Sequence, residues 1–274
     1  MGRRTGACRL HYGMAGNPEP AFYLDGDPFV DPQRAVEFTC RRHGIAREEL
    51  GVRRVAVGVF SSQLVQVLAR QCGAAPLEHW LRGPREPAFL TDDGITIVSL
   101  PVGAPAAVIL VEEMIACGME TLVVTGSAGS LQPHLPIGSI VVPTEAIREE
   151  GTSHHYAPAG EVAVASASVV DAVSGVLAER GLAFSTGRQW TTDAVYREHR
   201  EKIARYRADG VLAVDMELSA LYTLARFRGI ACGAVLAISD ELHGDAWEIG
   251  FADARFVGAV TQTAAVALDV ARRL

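Results

Sequence analysis

Short apolar runs alternate with helix-length segments along most of this 274-residue chain, and that alternation limits the available folds more than any other feature. Arg53-Val-Ala-Val-Gly-Val-Phe60 reads as a buried strand, followed by a helix over Ser61 to Cys72 with a serine at its start. Gly94-Ile-Thr-Ile-Val-Ser-Leu100 is another strand. Pro105 then opens a helix that runs to Cys117 and is stopped by Gly118. Thr121 to Thr125 and Gly138 to Val142 are further strands, while the helices over Ser168 to Arg180 and Leu218 to Arg228 end at Gly181 and Gly229. Arg197 to Arg207 is a charged surface helix, Cys232 to Ile238 the last strand, and Ala254 to Leu274 an amphipathic helix. Such alternation predicts a single α/β domain over residues 33–274: a central mixed, largely parallel β-sheet flanked by helices. Residues 1–32, rich in Gly, Pro and Asp, predict an irregular arm that packs on a neighbouring subunit.

Composition narrows the functional classes. A net charge of −7 gives no basic surface for nucleic acid or an anionic membrane. The cysteines are Cys8, Cys40, Cys72, Cys117 and Cys232. They are odd in number and lack C-x-x-C spacing, which argues against a disulfide framework or a zinc site and for a reducing cytoplasm. No apolar stretch is long enough to span a bilayer, and Met1-Gly-Arg-Arg4 leads into no apolar h-region. The expectation is a cytoplasmic protein without metal, membrane or nucleic-acid partners.

Chemistry concentrates in two places. The run Val211-Leu-Ala-Val-Asp-Met-Glu-Leu-Ser-Ala-Leu221 and the strand end Ala237-Ile-Ser-Asp240 put Glu217 and Asp240 on different elements that can converge on one pocket. One carboxylate suits gripping sugar hydroxyls and the other suits giving a proton, which is equipment for breaking a sugar–base bond. Gly126-Ser-Ala-Gly129 follows an apolar strand, with Glu145 further on, as in a dinucleotide fingerprint. That reading fails because Pro133 and Pro136 break the helix that the pyrophosphate would need. The glycines are instead expected to form a tight bend offering backbone amides and the Ser127 hydroxyl to a small ligand, or else a plain structural turn.

Taken in order, Val102-Gly-Ala-Pro105, Thr125-Gly-Ser-Ala-Gly129, Ile137-Gly138, Asp215-Met-Glu217 and Ser239-Asp240 resemble the nucleoside phosphorylase and nucleosidase superfamily over residues 94–274. Glu150-Gly-Thr-Ser-His-His-Tyr156 is similar to its uridine phosphorylase branch, and the glycine segment to its methylthioadenosine nucleosidases. The resemblance implies a pentosyltransferase, assembled as a homo-oligomer. It would cleave the N-glycosidic bond of a nucleoside with phosphate as co-substrate and no other cofactor, giving free base and pentose 1-phosphate. On that pattern Glu217 accepts hydrogen bonds from the ribose 2′ and 3′ hydroxyls, and Met216, beside Asp215, packs on the sugar. Asp240 protonates N7 of a departing purine and Ser239 orients it. Gly126 and Ser127 hold phosphate, Ala128 and Gly129 border the substrate, and Tyr196, next to Val195, either stacks on the base or is a buried core tyrosine. His154, His155 and Tyr156 fall in a loop near the sugar. The Gln-x-Arg clamp of pyrimidine-cleaving relatives is missing after Tyr196, so a purine-type base is expected.

Two departures bear on the nucleophile. Val124 stands where phosphorylases carry an arginine, and Phe29-Val30 follows Gly26-Asp27-Pro28 where a second is expected. A phosphate dianion wants bidentate guanidinium partners, so Arg34, Arg82 and Arg85 become the candidates to supply them. Without such partners the alternative is a nucleosidase using water, and a third reading is a non-catalytic nucleoside-binding module.

Overall fold

In the computed structural model, which describes residues 22–24, 26, 28–82 and 85–274, the chain begins with helix α1 (Pro32–His43), strand β1 (Val55–Val59), α2 (Ser62–Cys72), β2 (Ala75–Pro76) and β3 (Ala88–Leu90). It continues through β4 (Thr96–Ser99), α3 (Ala104–Ala116), β5 (Thr121–Ser130), β6 (Ile140–Glu149), β7 (Ala163–Val164) and α4 (Ala167–Glu179). It ends with β8 (Ser185–Thr192), α5 (Arg200–Ala208), β9 (Ala213–Asp215), α6 (Leu218–Arg228), β10 (Ala231–Glu241), β11 (Glu248–Ile249) and α7 (Ala254–Ala271). Most of the arm expected over residues 1–32, including Cys8 and Asp27, lies outside the described residues, as does its packing on a neighbour.

Local chemistry sets the helix ends. Asp31 accepts from the Gln33 amide ahead of Pro32, and Ser61 accepts from the Leu64 amide, so each helix starts on a side-chain cap. Gly229 closes α6 at φ 71°, a left-handed position that a side chain would resist. Among the described residues, no helix is long and apolar enough to cross a membrane.

The sheet is mixed, as expected, and part of it closes on itself. β5 pairs in parallel with β1 and β10 and antiparallel with β9. β9 pairs with β8, β8 with β6, and β6 with β10, completing a ring of five strands. The other edge runs on through β1, β4, β3 and β2. Side chains alternate across the buried strands: Val55, Val57 and Val59 join the layer with α2, α4 and α7, while Ala56 joins the layer with α3 and α6. Each fully buried Val or Leu contributes about 1.5–3 kcal/mol to that packing.

Several expected boundaries are corrected. The glycine segment is no bend: β5 runs straight through Gly126 and Gly129 to Ser130, because β10 and β9 supply ladder partners there. For the same reason β6 extends past Val142 to Glu149, and β10 past Ile238 to Glu241. The helix expected from Arg197 divides into a 3-10 turn over Val195–Arg197 and then α5. Glu145 pairs with the Arg188 guanidinium, consistent with rejecting the dinucleotide reading.

Candidate active site

The C-terminal halves of β5, β9 and β10 meet side by side, where open α/β sheets place their ligands. At Ser239 the ladder between β10 and β5 slips by one residue: Ile238 faces Ala128, while Asp240 faces Gly129. That bulge lets adjacent residues turn toward one side, which regular pleating forbids. Ser239 Oγ and Asp240 Oδ1 are 2.6 Å apart, and the Trp247 indole N–H donates to Asp240 Oδ2 at 2.7 Å. Gly129 makes this possible, since a Cβ there would sit 3.0 Å from Asp240 Oδ2 and 2.5 Å from Leu242 Cδ1.

On β9, Asp215 anchors the turn into α6. Its Oδ1 accepts from Thr191 Oγ1 at 2.7 Å, and its Oδ2 accepts from the Glu217 and Leu218 amides at 3.1 and 2.7 Å. Asp215 thereby satisfies two of the donors at the helix start, and Thr191 Oγ1 accepts from a third, the Ser219 amide, leaving the Glu217 side chain to face inward. Glu217 Oε1 accepts from the Gly103 amide at 2.6 Å. Burial first, and the Asp215 carboxylate second, push Glu217 well above the usual glutamate range. Asp215 is also raised by burial, against the opposing pull of Thr191 and the two amides.

Glu217 and Asp240 line one cavity of about 420 Å³, together with Ser127, Ala128, Gly129, Tyr196, Asp215, Met216 and Ser239. That volume suits a small organic ligand. Gly126 is different. It is buried under Phe60, where a Cβ would come within 3.1 Å of the ring, and it does not line the cavity. Tyr196 stands at the mouth, 90% exposed. His154 and His155 lie against Phe22, and Tyr156 against Phe227, so this loop lies outside the cavity lining. Val124 is buried in the core. Arg82 pairs with Glu113 at 2.9 Å, and neither Arg34 nor Arg85 lines the cavity.

Sequence reasoning passed over Phe60, Glu198, Arg200, Trp247 and Phe251, all of which line the cavity. Glu198 and Arg200 lay inside a segment that reads as a surface helix, and Trp247 belongs to a loop without periodicity. Burial, and then the charge of Asp240, push the Glu198 carboxyl up to about 7.

The Ser239 hydroxyl is placed to follow a proton. Its oxygen also lies 3.3 Å from the Ala128 carbonyl. When Asp240 is ionised, the hydroxyl donates to it; when Asp240 carries a proton on Oδ1, it donates to Ser239, whose own hydrogen turns to Ala128. Ser239→Ala removes this arrangement and is expected to lower turnover about 10- to 100-fold, the worth of a hydrogen bond to a charged group. Steady-state kinetics of the reaction the site performs measures it, and an unchanged kcat would show that the hydroxyl has no part.

A β-ring whose open end gathers a buried glutamate and a serine-held aspartate over one small-molecule cavity defines an α/β protein with a carboxylate-lined site. The sequence pattern of the phosphorylase superfamily matches residues 84–272, and the chain belongs to that superfamily. It is 32% identical over 148 residues to a guanosine phosphorylase of Halorubrum lacusprofundi, a match covering 54% of this chain and 61% of that one. It is 31% identical over 157 residues to a uridine phosphorylase of Thermococcus kodakarensis, covering 53% and 57%. The chain thus matches less than two thirds of these relatives' own length. The crystal structure of uridine phosphorylase from Vibrio fischeri ES114 shares the fold with a TM-score of 0.72 at 24% identity, covering 82% of this chain and 95% of that one.

Proposed function

We propose that the chain cleaves the N-glycosidic bond of a nucleoside and transfers the pentose to phosphate. The observation that carries this is the convergence of Glu217 and Asp240 on one cavity, in a chain of the phosphorylase superfamily. Relatives named as guanosine and uridine phosphorylases support phosphate as the acceptor. As the C1′–N bond breaks, positive charge grows on the sugar and negative charge on the base. Glu217 and Asp215 place carboxylates beside the growing cation, and Glu217 accepts from the ribose hydroxyls. A proton from Asp240 lets the base leave neutral. Asp240 together with the missing Gln-x-Arg clamp supports a purine-type base.

One observation favours water over phosphate as the second reading. The cavity lining carries Glu198, Asp215, Glu217 and Asp240 but, among the described residues, a single cation, Arg200. Its guanidinium already donates to the Asp245 carbonyl at 2.6 Å. A dianion entering this field is repelled unless further guanidinium groups come from outside the cavity, and a homo-oligomer could supply them across a subunit boundary.

The deciding experiment incubates the protein with guanosine, inosine, adenosine, methylthioadenosine and uridine, with and without phosphate, and identifies the sugar product. Pentose 1-phosphate formed only with phosphate is the expected result. Free pentose formed without phosphate replaces transfer by hydrolysis, and binding without turnover replaces both by a binding module.

A further inference from the structure

A further carboxylate stands behind the pair formed by Asp215 and Glu217. Glu150, one residue past the end of β6, is 3% exposed and does not line the cavity. Its Oε1 accepts from the Ser219 hydroxyl at 2.8 Å, and its Oε2 accepts from the Ser153 amide at 2.8 Å. The Ser219 amide donates to Thr191 Oγ1 at 3.0 Å, and the Thr191 hydroxyl donates to Asp215 Oδ1 at 2.7 Å. A buried chain thus runs from Glu150 through the first turn of α6 and the end of β8 to Asp215. The next residue, Gly151, donates its amide to Asp193 Oδ2 at 2.8 Å.

Burying a carboxylate is costly, and a neutral acceptor could join β6 to α6 at less expense in free energy. What Glu150 adds is charge. Burial first, and Glu150 as a lesser cause, push Asp215 up against the pull of Thr191 and two amides. Burial, then Asp215, and more weakly Asp193 push Glu217 the same way. Arg148 on β6 feels Glu150 but gives its donors to Ser153 Oγ and to the carbonyls of Ala157, Pro158 and Glu161. Arg226 on α6 acts on Arg148, and Tyr222 on the same helix feels Asp215. Glu198, Arg200 and Asp240 line the cavity beside the pair.

We propose that Glu150 is a positioning residue for the cleavage reaction. Acting through Ser219 and Thr191, it fixes Asp215 and the helix start that carries Glu217, and it places a negative charge behind the two carboxylates that face the sugar. This rests on the nucleoside-cleavage reading above, and it extends the working site to a residue that touches no ligand.

The test measures kcat/KM against pH for the wild type, Glu150→Gln and Glu150→Asp, with nucleoside binding followed in parallel by calorimetry. Glutamine removes the charge and keeps an acceptor oxygen, whereas aspartate keeps the charge and shortens the reach to Ser219. Asp215 and Glu217 titrate as a pair, and their ionised form accepts from sugar hydroxyls. With Glu150 neutral the pair releases its protons at lower pH. The ratio of Glu150→Gln to wild-type kcat/KM should therefore be at least threefold higher at about pH 6 than at about pH 9. Glu150→Asp should keep the wild-type pH profile at a lower rate. A Glu150→Gln ratio that is flat across pH, whether or not the rate falls, overturns the proposal and leaves nucleoside cleavage standing.

If Glu150→Gln does not fold, Ser219→Ala decides. With the link to α6 cut, the preference for a ribonucleoside over its 2′,3′-dideoxy analogue should fall about tenfold, the worth of a hydrogen bond to a charged group. An unchanged preference overturns the proposal. A pH-dependent change in binding without turnover in any variant sustains Glu150 and overturns catalysis. Absence of both binding and turnover overturns the two together.

Discussion

Asp240→Asn is expected to lower turnover of a purine nucleoside by about two to four orders of magnitude, the range over which a positioned general acid acts, with KM nearly unchanged. The amide keeps the shape of the carboxyl and can still accept from the Trp247 indole, so the cavity wall should hold its form. It loses the transferable proton. The base would then depart as an anion, into a cavity already lined by Glu198, Asp215 and Glu217. Because the loss arises in the transition state and not in ground-state binding, it should appear in kcat. Wild-type rates in this variant would remove Asp240 as the acid. A parallel loss in KM would assign it to binding.

Glu217→Gln is expected to cost about 100- to 1000-fold in kcat/KM, comparable with removing one preorganised group that stabilises transition-state charge. Two consequences of its burial make the test specific. The ionised carboxylate is the form that accepts from sugar hydroxyls, and burial with Asp215 alongside raises the pH at which that form appears. Wild-type kcat/KM should therefore climb as pH rises above the usual glutamate range, and the glutamine variant should lack that limb. Stability runs in the opposite direction. Folded Glu217 holds a proton at pH values where the unfolded chain has released it, so the folded state binds more protons and loses stability as pH rises toward its raised value. Replacing Glu217 by glutamine removes this contribution. The variant's Tm relative to wild type should accordingly be higher at about pH 9 than at about pH 6. A difference that does not move with pH would mean that Glu217 is ionised throughout.

Much of this architecture was legible in residue patterns because it is set locally. The α6 helix runs from Leu218 to Arg228 and stops at Gly229, as its apolar period and terminal glycine predict, and Ser61 caps α2. The motif residues Asp215, Met216, Glu217, Ser239 and Asp240 indicated a shared pocket, and they line one. What escaped depends on distant partners. β8, with the polar run Ser185-Thr-Gly-Arg-Gln-Trp-Thr-Thr192, carries no strand signature of its own. It is a strand because β6 and β9 flank it in parallel, and that is what brings Thr191 to Asp215. Gly126 and Gly129 read as a bend because glycine so often makes one, yet here they clear space for Phe60, Asp240 and Leu242 against a continuing strand. Glu198 and Trp247 lie on segments whose path follows the closure of the whole sheet, which no local period records.

The closed ring of strands divides the labour of this molecule. Glu217 and Asp240 are tied to strands that pair with one another through β5, so neither can drift without tearing a ladder. Glu198 and Trp247 hang outside that ring, on the segments leading into α5 and out of β10. Changes in these two connectors can therefore reshape the cavity wall while the ladders keep Glu217 and Asp240 in register.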